Sequence, residues 1–196
     1  MPLHLLLMNQ LEIMLEKQPE LVTERMQLVA LNPEHAGPMF RMRSDAAVMR
    51  YIPRTLAKTN ADVEALIQMI HERFQQKLAI NWAMIQTSDK QMMGYIGLVN
   101  IDAKNDHAEI GYILLPEFQG KGFMHEALQA VIDFSFEKIS LHRLSATIDP
   151  ENNASSKVLE KCGFKQEGHL REHEIFEGRY LDSLIYGLLN REYRSN

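Results

Sequence analysis

The 196-residue chain contains one cysteine, Cys162, and one tryptophan. A single thiol excludes an internal disulfide framework and a cysteine zinc site. Beside Gly163 and Phe164 at an expected helix end, Cys162 reads as a small buried apolar residue. Long apolar runs are also missing. Residues 3–8 are hydrophobic, but they are too few to cross a bilayer and lack the positive n-region and small-residue cleavage site of a signal peptide. No membrane association and a cytoplasmic location are the expectations. Positive charge is in deficit, 21 Lys and Arg against 26 Asp and Glu for a net charge of -5, which argues against nucleic-acid binding through a broad basic surface. Repeats and low-complexity segments are absent, and no serine sits in a Gly-x-Ser-x-Gly elbow, so nucleophilic hydrolase chemistry has no support. His169 and His173 are four apart on an expected strand, a separation of roughly 13 Å, too long for one metal to bridge. No metal is expected.

What is present centres on residues 107–136. An apolar strand at 107–115 runs through a short loop containing Pro116 into Gln119-Gly120-Lys121-Gly122-Phe123-Met124, which opens a helix. The first N–H groups of a helix lack intrahelical partners and the macrodipole favours an anion there, so a glycine turn delivered by a strand suits a phosphate. Met124, Ala127, Leu128, Val131 and Ser135 follow at helical spacing and predict a helix packed on a sheet. The spacing narrows the ligand. No Gly-Lys-Ser/Thr follows at P-loop distance, and His125 stands where a dinucleotide fingerprint needs its third glycine.

The rest of the chain fills in around that unit. Leu7, Leu11, Met14 and Leu15 predict a short amphipathic helix, an N-terminal extension over 1–20 ending in a linker at 16–20 with Pro19. Its apolar face offers a surface either to the domain itself or to a second copy, so a homodimer is one expectation. The body, 21–196, reads as one domain. Residues 23–31 alternate as a strand; Asn32-Pro33 caps a helix to about Arg43; 49–54 is an irregular loop; a helix begins at Asn60 to Asp62; 80–86 and 93–101 form a hairpin. After the central strand and helix come a strand at 143–148, a helix at 154–161 with Ala154, Val158 and Cys162 as its buried stripe, and strands near 164–176 and 180–189. Met39, Met42 and Met49 are read as lining an adaptable cleft. This order predicts a mixed α/β (α+β) sheet, not a doubly wound parallel one.

The segment Gln119 to Met124 resembles the Gln-x-x-Gly-x-Gly/Ala signature of the acetyl-CoA-dependent GNAT superfamily, with Met124 departing at the last small position. One strand later, Asn152-Asn153-Ala154-Ser155 leading into Leu159-Glu160-Lys161-Cys162-Gly163-Phe164 resembles the branch containing the ribosomal-protein alanine and serine N-acetyltransferases. Thr23-Glu24-Arg25-Met26 and Gly178-Arg179-Tyr180-Leu181-Asp182 are similar to that branch too. The likeness covers about residues 22–194. It implies a mostly antiparallel mixed sheet, flanked by helices, whose two parallel strands splay to admit the pantetheine arm. Backbone groups near Ile113, Leu114 and Leu115 would hold the arm; Gln119, Gly120, Lys121, Gly122, Phe123 and Met124 the pyrophosphate; Asn152 the arm and Ser155 the sulfur.

The implied reaction is attack of a neutral amine on the acetyl thioester. It needs a proton acceptor, donors for the oxyanion and a donor for the departing thiolate. Glu109 is the candidate base, equally readable as a structural anchor; Ser155 is the candidate donor to sulfur, and Tyr112 and Tyr180 are alternatives. An α-amino group with pKa near ~8 is about one-tenth neutral at pH 7, a lysine amine only about once in a few thousand molecules. A protein N-terminus therefore needs little basic help. The expected acceptor is such an N-terminus, for example that of a ribosomal protein. The alternatives are a small amine such as a polyamine or aminoglycoside, and a coenzyme A-binding sensor without catalysis.

Overall fold

The computed structural model describes residues 17–193. The amphipathic helix expected near the start falls on residues 1–16 and so lies outside the described residues. The segment that follows is fastened to the sheet, because Gln18 Nε2 donates to Asn81 O and Trp82 Nε1 donates to Pro19 O, both at 2.7 Å.

Among the described residues, eight strands make one sheet: β1 (Leu21–Val22), β2 (Met26–Ala30), β3 (Ile80–Gln86), β4 (Met92–Asp102), β5 (His107–Leu114), β6 (Arg143–Ile148), β7 (Lys165–Phe176) and β8 (Arg179–Leu189). Their spatial order is β1-β2-β3-β4-β5-β6-β8-β7. Every pairing is antiparallel except β5 with β6. That mixed sheet is the one the order of elements predicts, with the short β1 and a terminal helical turn added.

The helices start where the sequence supplies caps. α1 (Ala36–Ser44) is led in by a 3-10 turn at Pro33–His35, where Asn32 Oδ1 accepts the Glu34 N–H and His35 Nδ1 accepts the Asn32 N–H, both at 3.1 Å. α2 (Asn60–Gln75) opens on a capping box in which Thr59 and Asp62 satisfy each other's backbone N–H. α3 (Phe123–Asp133), α4 (Asn153–Lys161) and the short α5 (Asn190–Tyr193) follow. Gly163, at φ 89°, ends α4 in a Schellman arrangement: its N–H reaches Glu160 O and that of Phe164 reaches Leu159 O, both at 3.0 Å.

Helices cover both sheet faces. α1 packs on β4 and α2 on β3, while Phe134, just past α3, meets Trp82 edge-on at 5.4 Å on the other side. Register carries that second face from Trp82 to Ile96 and Tyr112. Two expectations are corrected. Met39, Met42 and Met49 are buried in the core beneath α1 and do not line a cleft. On α4 the buried pair is Ser155 and Leu159, with Ala154 exposed and Val158 and Cys162 half-buried. The helix is turned so that a serine faces inward, which a purely apolar pattern cannot register.

Candidate active site

The parallel pair β5–β6 is matched at only three positions, His107 with Arg143, Ala108 with Leu144 and Glu109 with Ser145. β5 nevertheless continues to Leu114 and β6 to Ile148. Past Glu109 the two strands therefore splay, and ladder groups on their facing edges lose their partners. Alternation decides which groups those are. The Leu115 N–H is spent on Met93 O at 2.9 Å, and Ile113 O lies over Gly94, so both turn toward β4. Leu114 turns the other way, into the opening. Its carbonyl accepts Gln119 Nε2 at 3.0 Å, which pins the glycine turn to the strand end.

Gly120 and Gly122 have φ of 71° and 83°, the left-handed region that favours glycine. Gly122 is the N-cap of α3, and the first bond back to the cap is from the Glu126 N–H at 3.1 Å. The N–H groups of Phe123, Met124 and His125 precede it, so the helix contributes a cluster of donors at its positive end. A residue to which the sequence assigns no role holds this turn. Arg25 Nη1 donates to Lys121 O at 2.9 Å, its Nε to Glu126 Oε2 at 2.7 Å, and its guanidinium stacks 4.5 Å from the Phe123 ring centroid. A Cβ on Gly122 would come within 3.3 Å of Arg25 Nη2. Burial works to raise the Glu126 pKa, but hydrogen bonds from Thr23 and Arg25 keep it below the usual carboxylate range.

Across the opening, Asn152 caps α4 by accepting the Ser155 N–H on Oδ1 at 3.1 Å. Ser155 is buried and Asn152 half-buried. Tyr112, on β5, stands beside Ser155 on this face. Cys162 Sγ lies 3.1 Å from His125 Nδ1, and burial pushes the thiol up to about 11, making it a poor nucleophile.

Glu109 is three residues from Tyr112 on a regular strand and so faces the α1/α2 side. Its Oε2 accepts Asn100 Nδ2 at 2.8 Å, and Asn100 Oδ1 accepts Arg73 Nη2 from α2 at 3.1 Å. A carboxylate on one face of the opening and a serine on the other can remove a proton from an entering amine and stabilise a leaving thiolate without competing for space. Tyr180 is exposed on the far hairpin, paired with Ile175. His169 and His173 diverge onto Asp182 Oδ2 and Ser183 Oγ, so this pair does not converge.

The α1 end and the loop after it span both lips. Arg41 pairs with Glu117 just past β5 at 2.7 Å, Arg50 with Glu151 just past β6 at 3.1 Å, and Arg54 with Glu174 on β7 at 2.9 Å.

A sheet opened at one parallel pair, with a glycine turn and helix start at one lip and a capped serine at the other, defines an acyl-CoA-dependent transferase. The description "Acetyltransferase (GNAT) domain" matches residues 25–165, and the chain belongs to that family: it is an acetyl-CoA N-acetyltransferase. An uncharacterized N-acetyltransferase p20 from Bacillus licheniformis is 36% identical over 173 residues, covering 88% of this chain and 97% of that protein. A spermidine N(1)-acetyltransferase from Vibrio cholerae is 33% identical over 56% of this chain and 64% of its own length. The [Ribosomal protein uS5]-alanine N-acetyltransferase of Escherichia coli is 28% identical over 66% of this chain and 68% of its own. Among solved structures, a GNAT-family acetyltransferase from Bacillus anthracis superposes with a TM-score of 0.80 at 26% identity, covering 89% of this chain and 100% of that one.

Proposed function

We propose that this N-acetyltransferase modifies the N-terminal α-amino group of a protein, with a ribosomal protein the first to test. The observation that carries this reading is the charge of the segment across the lips. Residues 41–58 hold Arg41, Arg43, Arg50, Arg54 and Lys58 against one acid, Asp45, in a chain whose net charge is -5. Three of those arginines cover Glu117, Glu151 and Glu174. A polyamine needs uncompensated carboxylates at such a rim, whereas a peptide with one amine and neutral or acidic residues behind it does not.

In this assignment the N–H groups at 120–124 and the Lys121 charge take the pyrophosphate. The Leu114 N–H faces the acetyl carbonyl as an oxyanion donor, with the flanking backbone at Ile113 and Leu115 setting its direction. Asn152, its Oδ1 used by the cap, offers its amide NH2 to a carbonyl of the arm. Glu109 takes the ammonium proton, directly or through water. The amine nitrogen then bonds to the thioester carbon; as the tetrahedral intermediate collapses the C–S bond breaks, the proton released from the nitrogen passes through solvent to the departing thiolate, and Ser155 Oγ–H stabilises the sulfur as it leaves.

The test is acetyl-CoA-dependent thiol release with peptides bearing free N-termini, the same peptides N-terminally blocked, spermidine and an aminoglycoside. Turnover of free N-termini alone supports the reading, and peptides with acidic residues at the second to fourth positions are expected to be the better acceptors. Turnover of spermidine alone would replace it with the activity for which the Vibrio cholerae relative is named.

A further inference from the structure

The Tyr112 side chain has a polar end that its packing does not explain. Its hydroxyl oxygen is sealed from solvent and has no hydrogen-bond partner of acceptable geometry. Burial pushes this phenol far above its ordinary pKa; Ser155 is the neighbouring hydroxyl that pulls it back, while Cys162 and Tyr186 push it further up. Tyr186, the other phenol beneath α4, is placed differently: its hydroxyl reaches Glu160 Oε1 at 3.2 Å. An orphaned buried hydroxyl costs free energy that a phenylalanine in the same space would avoid.

Ser155 has a matching peculiarity. Serines in the first turn of a helix commonly return their hydroxyl to the backbone, as Ser156 does to Asn152 O at 3.4 Å. Ser155 uses only its backbone N–H in the cap, and its buried hydroxyl lies next to the orphan. The two hydroxyls share the α4 side of the opening, opposite Glu109.

We propose that Tyr112 is a positioning residue that acts through Ser155: its O–H donates to Ser155 Oγ, which leaves the Ser155 O–H aimed at the thioester sulfur. A phenol is a hydrogen-bond donor throughout the working pH range, and a serine whose lone pair is taken has its own proton directed away. No proton leaves Tyr112 in the cycle. The inference rests on the assignment of Ser155 to the sulfur.

The experiment compares wild type, Tyr112→Phe, Ser155→Ala and the double variant. One measurement is kcat with the acceptor found in the thiol-release panel. The other needs no acceptor: calorimetric affinity for coenzyme A against desulfo-coenzyme A. Tyr112→Phe should fold with an equal or higher Tm, keep KM for acetyl-CoA within about twofold and lose about tenfold in kcat, less than the roughly hundredfold that a fully misplaced reacting group can cost. Its preference for coenzyme A over the desulfo form should fall with it. On the Ser155→Ala background the same change should cost less than about twofold, since the residue through which it acts is gone. Wild-type kcat and sulfur preference in Tyr112→Phe would overturn the proposal, as would an equal loss with and without Ser155. If Ser155→Ala behaves as wild type in both measurements, the assignment of Ser155 fails first and the relay fails with it.

Discussion

At the scale of single residues, the proposed site divides between groups assigned to the chemistry and groups that hold them. Glu109 is fixed by Asn100, itself held by Arg73. The carboxylate is thus oriented by a neutral amide and is in no salt bridge among the described residues. Glu109→Gln keeps the bond-accepting oxygen and removes the basicity. It should lower kcat/KM by about 10²-fold, the lower end of what a positioned general base supplies, with the Kd for acetyl-CoA unchanged by calorimetry. If peptide acetylation survives that change, water alone is accepting the proton. Arg25 belongs to the second group, since it touches the turn at Lys121, Phe123 and Glu126 together. Arg25→Met retains the stem and the backbone N–H bond to Glu126 but breaks the polar contacts of the guanidinium. It should weaken acetyl-CoA binding by roughly tenfold, about 1.4 kcal/mol, and calorimetry on the purified variant would show a lesser effect if the glycine turn holds its shape alone.

At the scale of elements, two glycines separate backbone geometry from ligand binding. Gly122 and Gly163 are both left-handed, at 83° and 89°, one opening α3 and the other closing α4. Alanine at either position should cost about 1–2 kcal/mol of stability. Only Gly122→Ala should also weaken acetyl-CoA, because its added Cβ meets Arg25. Denaturant melts and calorimetry on the two variants check this, and an equal loss of affinity in both would show a global effect. Much of this architecture was legible in advance. The turn at 119–124 and the helix end beside Gly163 are local devices, each written in a few adjacent residues. Strand positions followed from alternation, with the hairpin β3–β4 found to within about one residue. Long-range placement was hidden. Nothing in Thr23-Glu24-Arg25 shows that Arg25 reaches a loop about a hundred residues away, and nothing around Arg50 or Arg54 shows that they pair with Glu151 and Glu174. The inward turn of Ser155 is not readable from the apolar pattern of α4, which puts Ala154, Val158 and Cys162 inside; only the family resemblance points Ser155 at the opening.

For the whole molecule, the histidines set a lower pH limit on stability before any carboxylate does. His35, His107 and His125 all have pKa values lowered chiefly by burial, with the Arg143 and Lys161 charges assisting at the last two. Geometry gives the same direction at His35, whose Nδ1 accepts the Asn32 N–H and cannot do so once protonated. In the unfolded chain each titrates near ~6.5. Between that value and the lower folded ones the unfolded state binds more protons, so stability is fully present above about pH 6.5 and falls as the pH drops through the window. Glu126 and Glu167, held below the usual carboxylate range in the fold, add a second loss only near and below the ordinary carboxylate pKa of about 4. Thermal melts at constant ionic strength should therefore show Tm flat from about pH 8 to 7, declining from about pH 6.5 downward and steepening again near pH 4. His35→Gln, which keeps a side-chain acceptor but cannot protonate, should flatten the first decline at some cost in Tm at pH 8. An unaltered slope in that variant would place the proton uptake at His107 and His125, beside the β5–β6 pair and the start of α3. Acidification would then destabilise the β5–β6 side of the sheet ahead of the turn that leads into α1.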